Sequence, residues 1–297
     1  MQNTKIEWCD STWNPVTGCL HDCKYCYARG VARRFGGKGD LREYGTGFLM
    51  DEDDIIPHGR PESGPIIEFD RGCYEIKYPL TRGECPEPGK QYNGKITPYP
   101  FGFLPTFHRY LLGKPQAWKK PRTIFVGSMC DLFGDWVPDE WIKAVFDACA
   151  AAPQHKYLFL TKNPKRYLGL AEAEKLPKNN NFWYGSTKAT PANPHYWSTD
   201  HNCFLSIEPL HSGGWYDTDN KGDIYLSDYF SNGGFRNIKL VIIGAETGGR
   251  KAKITPKKEW IDEITEYTKM YDIPVFMKDS LAGIVGAENM RRELPWQ

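Results

Sequence analysis

Cys19, Cys23 and Cys26 are separated by three and then two residues in the stretch Gly18-Cys19-Leu20-His21-Asp22-Cys23-Lys24-Tyr25-Cys26. Thiolates are soft donors, so the occupants that suit this triplet are an iron–sulfur cluster or zinc. A [4Fe–4S] cluster usually takes four cysteines. Held by three, it keeps one iron open to a substrate or cosubstrate. Zinc closes a structural site with four protein ligands, and His21 or a distant cysteine can supply the fourth, although zinc sites more often use two separated Cys-x-x-Cys pairs. Three reduced thiols in an ordinary loop are the plainest alternative, and so tight a spacing is unusual for it in a reducing compartment.

The triplet needs elements to position it. Trp13-Asn14-Pro15-Val16-Thr17-Gly18 reads as a short strand broken by a turn, and residues 27–35 read as a helix. The cysteines therefore lie between a strand and a helix, at the strand's carboxyl end, where a barrel of alternating strands and helices places its chemistry. Further along, Thr123-Ile124-Phe125-Val126-Gly127-Ser128 reads as a strand running into Met129-Cys130-Asp131. Residues 138–150 read as a helix with Pro138 in its first turn and Trp141, Val145 and Cys149 at helical spacing. Tyr157-Leu158-Phe159-Leu160-Thr161-Lys162 reads as a strand, and Asn163-Pro164 as a helix cap and first turn. Strands are expected at 182–186, 203–207, 239–243 and 274–277. A helix is expected to open at Thr255-Pro256, with Trp260, Ile264, Tyr267 and Tyr271 as its apolar side.

Buried apolar runs alternating with amphipathic helices imply an α/β fold with a mainly parallel sheet covered on both faces. Periodicity alone does not choose between an open doubly wound sheet and a partial or complete (β/α) barrel. Residues 1–35 are read as the cluster loop and first β/α unit, and 99–297 as the remainder of the α/β barrel. Residues 36–98 are rich in Gly, Pro and charge, and are read as an inserted subdomain or lid, because so long a structureless loop is improbable inside a compact domain. Cys73 and Cys85 lie there, either as isolated thiols or, with His58, around a second metal. A loop insertion is expected near 211–235, which contains two Gly-Gly pairs.

Composition narrows the class. The 297 residues carry a formal net charge of +1, so no global field points to nucleic acid or membrane. The amino terminus lacks a signal-peptide apolar run, and no segment approaches the roughly twenty apolar residues of a membrane span. Nine cysteines, an odd number with a tight triplet, argue against a secreted disulfide framework. A soluble cytoplasmic protein is expected. Polar residues at strand ends are the remaining candidates: Ser128, Asp131, Thr161, Lys162, Ser186, Glu208, Glu246 and Lys278. For each, the ordinary alternative is a solvated or salt-bridged rim residue. Lys119-Lys120-Pro121-Arg122 with Arg29, Arg33 and Arg34 offers a phosphate-contacting surface, or a merely solvated one.

The cysteine loop, with an aromatic just before its last cysteine, resembles that of radical S-adenosylmethionine (SAM) enzymes. The chain as a whole resembles a phage-associated radical-SAM-like family of unassigned activity. The likeness is carried by Ile6-Glu7-Trp8, Thr12-Trp13-Asn14-Pro15, the cysteine triplet, Trp118-Lys119-Lys120-Pro121-Arg122, Asp131-Leu132-Phe133, Ala152-Pro153-Gln154-His155, Leu160-Thr161-Lys162, Leu205-Ser206-Ile207-Glu208-Pro209-Leu210 and Ile243-Gly244-Ala245-Glu246. Two departures stand out: members often have a longer gap between the first two cysteines, and tend to have serine where Cys130 stands.

The resemblance implies that Cys19, Cys23 and Cys26 bind three irons and that SAM chelates the fourth. Reductive cleavage would then give a 5′-deoxyadenosyl radical that takes hydrogen from a substrate, with a nucleotide or nucleic acid as one candidate. It implies an electron donor such as flavodoxin or ferredoxin. Tyr25 would pack near the adenine. Ser128, Asp131, Lys162, Ser186, Glu208 and Glu246 would bind cofactor, with Glu208 accepting from the SAM ammonium or ribose. Lys278 would pair with the SAM carboxylate or hold an anionic substrate. Cys130 would return a hydrogen atom to a product radical, its ordinary alternative being a small buried side chain. A non-catalytic zinc- or cluster-stapled binding module, and an electron carrier or sensor, are the competing classes.

Overall fold

The structure is a computed structural model and describes residues 4–36, 66–69, 72–77, 79, 98–215, 235, 237–247 and 251–297. Most of the 36–98 and 211–235 insertions therefore lies outside the described residues, as do His58 and Cys85. The chain divides into two compact units. One comprises Met1–Thr12, Lys120–Val126 and Ala152–Gln297; the other comprises Trp13–Lys119 and Gly127–Ala151.

The first unit is built on a seven-stranded sheet. Its strands are β1 (Ser11–Trp13, whose last residue falls in the other unit), β6 (Thr123–Val126), β7 (Lys156–Thr161), β8 (Phe182–Thr187), β9 (Asn202–Ile207), β10 (Ile238–Ile243) and β11 (Val275–Met277), neighbours in that order. Every pairing from β6 to β11 is parallel. The reason is in the residues: β7, β8, β9 and β10 are near-continuous apolar runs, and Leu158, Phe159, Tyr184, Phe204, Leu205, Val241 and Ile242 are completely buried. Such runs suit strands covered on both faces. β1 and β11 are the first and last strands in that order and do not pair with each other, and Arg292 bridges to Phe276 on the outer side of β11, so the sheet is a half-barrel and not a closed one. One face packs Trp8, Phe125, Leu158, Trp183, Phe204, Leu240, Ile242 and Phe276 into a single cluster, with Trp8 and Phe125 ring centroids 4.7 Å apart.

Helices Pro164–Glu172 and Lys258–Met270 join β7 to β8 and β10 to β11. The first begins at Asn163-Pro164 as read from sequence, but the Asn163 side chain makes no cap bond; instead its backbone N–H donates to Thr161 Oγ1 at 2.8 Å. The second opens at Lys258, not Thr255, and buries Ile261, Ile264, Tyr267 and Thr268. The expected apolar side is thus rotated. Ile261 takes the place given to Trp260, and Tyr271 lies beyond the last turn, 48% exposed.

The second unit carries a four-stranded sheet in the order β2 (Val16–Thr17), β5 (Thr106–His108), β4 (Cys73–Ile76), β3 (Ile66–Phe69). β2 runs antiparallel to β5, β5 parallel to β4, and β4 antiparallel to β3. Helix Tyr27–Phe35 has the bounds that the sequence indicates, and helix Asp139–Ala150 buries Trp141, Val145 and Cys149, with Pro138 just outside as its cap. The strand preceding the cysteines is therefore β2, a member of this small sheet, whereas only β1 joins the parallel one. No helix among the described residues is long and apolar enough to cross a membrane.

Candidate functional site

The cysteine loop starts at a glycine that no other residue replaces easily. Gly18 has φ +85, and a Cβ there would lie 2.1 Å from the Leu104 carbonyl oxygen. Its N–H donates to Met129 O at 2.9 Å, it bridges to Cys130, and the next N–H, of Cys19, donates to Phe103 O at 3.1 Å. The chain is thus clamped on two sides as it enters the loop. Asp22 then turns through φ 51, and Cys26 N–H closes a turn on Cys23 O at 3.2 Å. Cys26 is the N-cap of helix Tyr27–Phe35, its sulfur accepting from Arg29 N–H at 3.4 Å. The sulfur thus takes up one of the N–H groups left without a partner in the first turn of the helix.

All three loop cysteines are half-buried, and none is in a disulfide. Arg29 is bonded to Asp22, and that bond raises its pKa and lowers that of Asp22; the charges of Cys26 and Cys19 raise Arg29 further. The Arg29 guanidinium is thus held by Asp22, within reach of the charges of Cys26 and Cys19. His21 Nε2 lies 2.7 Å from Asp131 Oδ2, and its ring meets Trp136 edge-on at 4.9 Å. Asp131 Oδ1 accepts from Phe133 N–H at 3.1 Å, so the carboxylate is fixed from both oxygens. Ser128 Oγ donates to Asn14 Oδ1 at 3.1 Å, which also accepts from Met129 N–H at 3.0 Å, and Tyr27 OH donates to Ser128 O. Cys130 keeps some exposed surface, but its sulfur is enclosed: burial, with Asp131 and Cys19 adding, pushes the thiol well above its usual range.

As a donor set, three half-buried thiols beside an arginine fit an iron–sulfur cluster. As a cradle they are not gathered: among the described residues no three of His, Cys, Asp and Glu stand close enough together to form a metal-holding group. Each sulfur turns on one bond among staggered rotamers, so ligation requires side-chain rotation and loop adjustment. The second-metal idea has only Cys73 within the described residues. It is buried, its sulfur donating to Trp136 O at 3.4 Å.

The sequence-predicted residues thus fall into two groups. Tyr25, Ser128, Cys130 and Asp131 accompany the cysteine loop in the second unit. Lys162, Ser186, Glu208, Glu246 and Lys278 stand at carboxyl ends of the parallel strands in the first. Lys162 is exposed. Ser186 is completely buried, its Oγ accepting from Tyr196 N–H at 2.9 Å, which makes it a strut of the 188–201 connection. Lys278 Nζ donates to Glu208 Oε1, and His211 Nε2 stands 3.5 Å from Glu246 Oε2. Sequence reasoning weighed His21 only as a zinc donor and missed its pairing with Asp131, 110 residues away. It also missed Lys188, buried after β8 with its ammonium on the carbonyls of Pro191 and Asn193. The signal for Lys188 was there, in a lysine directly ending an apolar strand.

Residues 3–58 and 88–292 match the model of one family, described only as a protein of unknown function (DUF5131). The unmatched residues 59–87 fall inside the segment read from sequence as an insertion. No curated protein and no solved structure matches the chain.

Proposed function

We propose that this chain, which belongs to the DUF5131 family of proteins of unknown function, is a radical SAM enzyme whose cluster is held by Cys19, Cys23 and Cys26. The observation that carries the reading is the loop itself: three half-buried cysteines between β2 and a helix, the third capping that helix through the Arg29 N–H. A [4Fe–4S] cluster bound there supplies one electron, taken from a flavodoxin- or ferredoxin-type donor, for reductive cleavage of SAM and hydrogen abstraction from a substrate.

The chain's own residues do the remaining work. The N–H of Arg29 donates to the Cys26 sulfur, and hydrogen bonds to ligating sulfurs tune potential. The His21–Asp131 bond ties the middle of the loop to the segment after β6, and Asn14 holds the same segment through Ser128 and Met129. These contacts orient the ligands in the manner of an outer shell. Exposed Arg33 and Arg34 suit a nucleotide or nucleic-acid substrate, whose binding would weaken steeply with added salt.

Anaerobic reconstitution with iron and sulfide, followed by electron paramagnetic resonance of the reduced protein with and without SAM, tests the assignment. The expected result is a [4Fe–4S] signal that SAM alters, absent from Cys23→Ala and retained in Cys149→Ala. Stoichiometric zinc in place of iron, or a cluster signal indifferent to SAM, would overturn it.

A further inference from the structure

Cys23 and Cys26 are joined by the backbone as well as by their spacing. Cys26 N–H donates to Cys23 O at 3.2 Å, which makes Cys23-Lys24-Tyr25-Cys26 a hydrogen-bonded four-residue turn. Such a turn keeps its first and last Cα atoms within about 7 Å. A disulfide takes Cα atoms about 4.4–6.8 Å apart. The turn therefore holds the two cysteines at a separation that a disulfide can span.

The flanks keep the turn in place. Asp22, just before Cys23, has φ 51, and its carboxylate accepts from the Arg29 guanidinium in the helix that Cys26 caps. One ion pair thus spans both cysteines from outside. Cys19 is tied to other segments: its N–H donates to Phe103 O at 3.1 Å, and that of its neighbour Gly18 to Met129 O at 2.9 Å. The remaining described cysteines are poor partners. Cys73, Cys149 and Cys203 are buried, and the sulfurs of Cys9 and Cys130 are largely enclosed. Cys23 and Cys26 are only half-buried, which leaves them open to a dissolved oxidant.

We propose that Cys23 and Cys26 close a reversible disulfide in the metal-free protein, and that this disulfide shuts the loop to metal. With oxidised glutathione as the oxidant, one cysteine sulfur attacks a glutathione sulfur, forming a mixed disulfide and releasing one glutathione. The second cysteine sulfur attacks the first, forming the Cys23–Cys26 bond and releasing the other glutathione. Two electrons pass from the cysteines to oxidised glutathione, and the two thiol protons end on two reduced glutathiones. Thiolate is the metal-binding form of cysteine, so a sulfur in a disulfide is lost as a ligand. Oxidation removes two of the three donors at once and leaves Cys19 alone; a dithiol reductant restores all three. As a control on cluster loading, the switch rests on the assignment of the cluster to this loop, whereas the disulfide itself rests on the turn.

The test uses the full chain, metal-free, first reduced and then exposed to oxidised glutathione. After alkylation it is denatured and cleaved without reductant before Asp22 and after Lys24 and Arg29. Mass spectrometry should find residues 22–24 joined to residues 25–29, at least tenfold over any species joining Cys19 to either cysteine. Dithiothreitol should separate them, Cys23→Ser should abolish the joined species and Cys19→Ser should retain it. Cobalt(II) then probes the loop anaerobically, with sulfide and thiols left out because both reduce disulfides. Thiolate-to-cobalt absorbance should be at least tenfold weaker in the oxidised chain than in the reduced one, with unchanged far-ultraviolet circular dichroism. No joined species from the folded chain, Cys19 as the preferred partner, or equal cobalt loading of the two forms would overturn the proposal. Neither readout uses iron or SAM, so failure of the radical SAM reading would leave both unmoved.

Discussion

At the scale of single residues, the cysteines separate by environment. Cys9, Cys130, Cys149 and Cys203 are all pushed upward by burial, Cys9 and Cys203 to about 12, while the loop cysteines are only half-buried. Since thiolate is the nucleophile, iodoacetamide at pH 8 should modify Cys19, Cys23 and Cys26 of the cluster-free protein first. Mass spectrometry should find Cys9, Cys130, Cys149 and Cys203 protected until denaturant is added, and early labelling of Cys130 would contradict its enclosure. Gly18 is the second residue with a sharp consequence. Alanine there meets the left-handed cost of about 1–2 kcal/mol and also a backbone oxygen 2.1 Å away. Gly18→Ala should lose more than about 2 kcal/mol in urea unfolding and should fail to retain iron. The placing of the three cysteines just ahead of helix Tyr27–Phe35 was legible at this scale, because spacing and helix start are local. The His21–Asp131 pair was not, since it depends on a contact across 110 residues.

At the scale of elements, the base of the cysteine loop rests on a histidine. His108 ends β5, whose register sets Thr17 opposite Thr106, and its Nε2 lies 2.9 Å from Thr17 Oγ1. Burial lowers its pKa from 6.5 to about 4. In the folded chain it stays neutral until about pH 4, whereas the unfolded chain takes up the proton near 6.5. Stability is therefore full above pH 6.5 and falls as pH drops toward 4, by about 3 kcal/mol for this group. Denaturant titrations at pH 7 and pH 4 should show a larger loss in wild type than in His108→Gln, by about that amount; equal losses would contradict a buried neutral His108. Strands β6 to β11 were legible within one or two residues because continuous apolar runs of that length bury on both faces. The face of helix Lys258–Met270 was misread by about one position, since Trp260 and Ile261 are both apolar and only packing decides between them. That β2 leaves the parallel sheet for a small one was hidden, because strand pairing is a long-range outcome.

At the scale of the whole molecule, the sequence motifs prove to be largely framework. Trp8 and Ile6 pack into the core of the sheet unit, Glu7 bonds Asp279 and Arg292, and Trp13 Nε1 donates to Leu111 O at 3.0 Å. Ala152 O accepts from Tyr157 OH, and His155 O from Asn181. Because the sheet unit is assembled from three separate stretches of chain, its amino-terminal strip is part of its core. Trp8→Ala should cost about 3–5 kcal/mol by denaturant titration, and a loss below about 1 kcal/mol would show that the strip is dispensable. The central claim concerns chemistry, and the direct measurement is product formation. The reconstituted, reduced protein is incubated anaerobically with SAM, and 5′-deoxyadenosine is quantified by mass spectrometry. The account predicts 5′-deoxyadenosine from wild type and none from Cys19→Ala, Cys23→Ala or Cys26→Ala. Absence of product from wild type carrying a full [4Fe–4S] cluster, or undiminished product from any of the three variants, would contradict it.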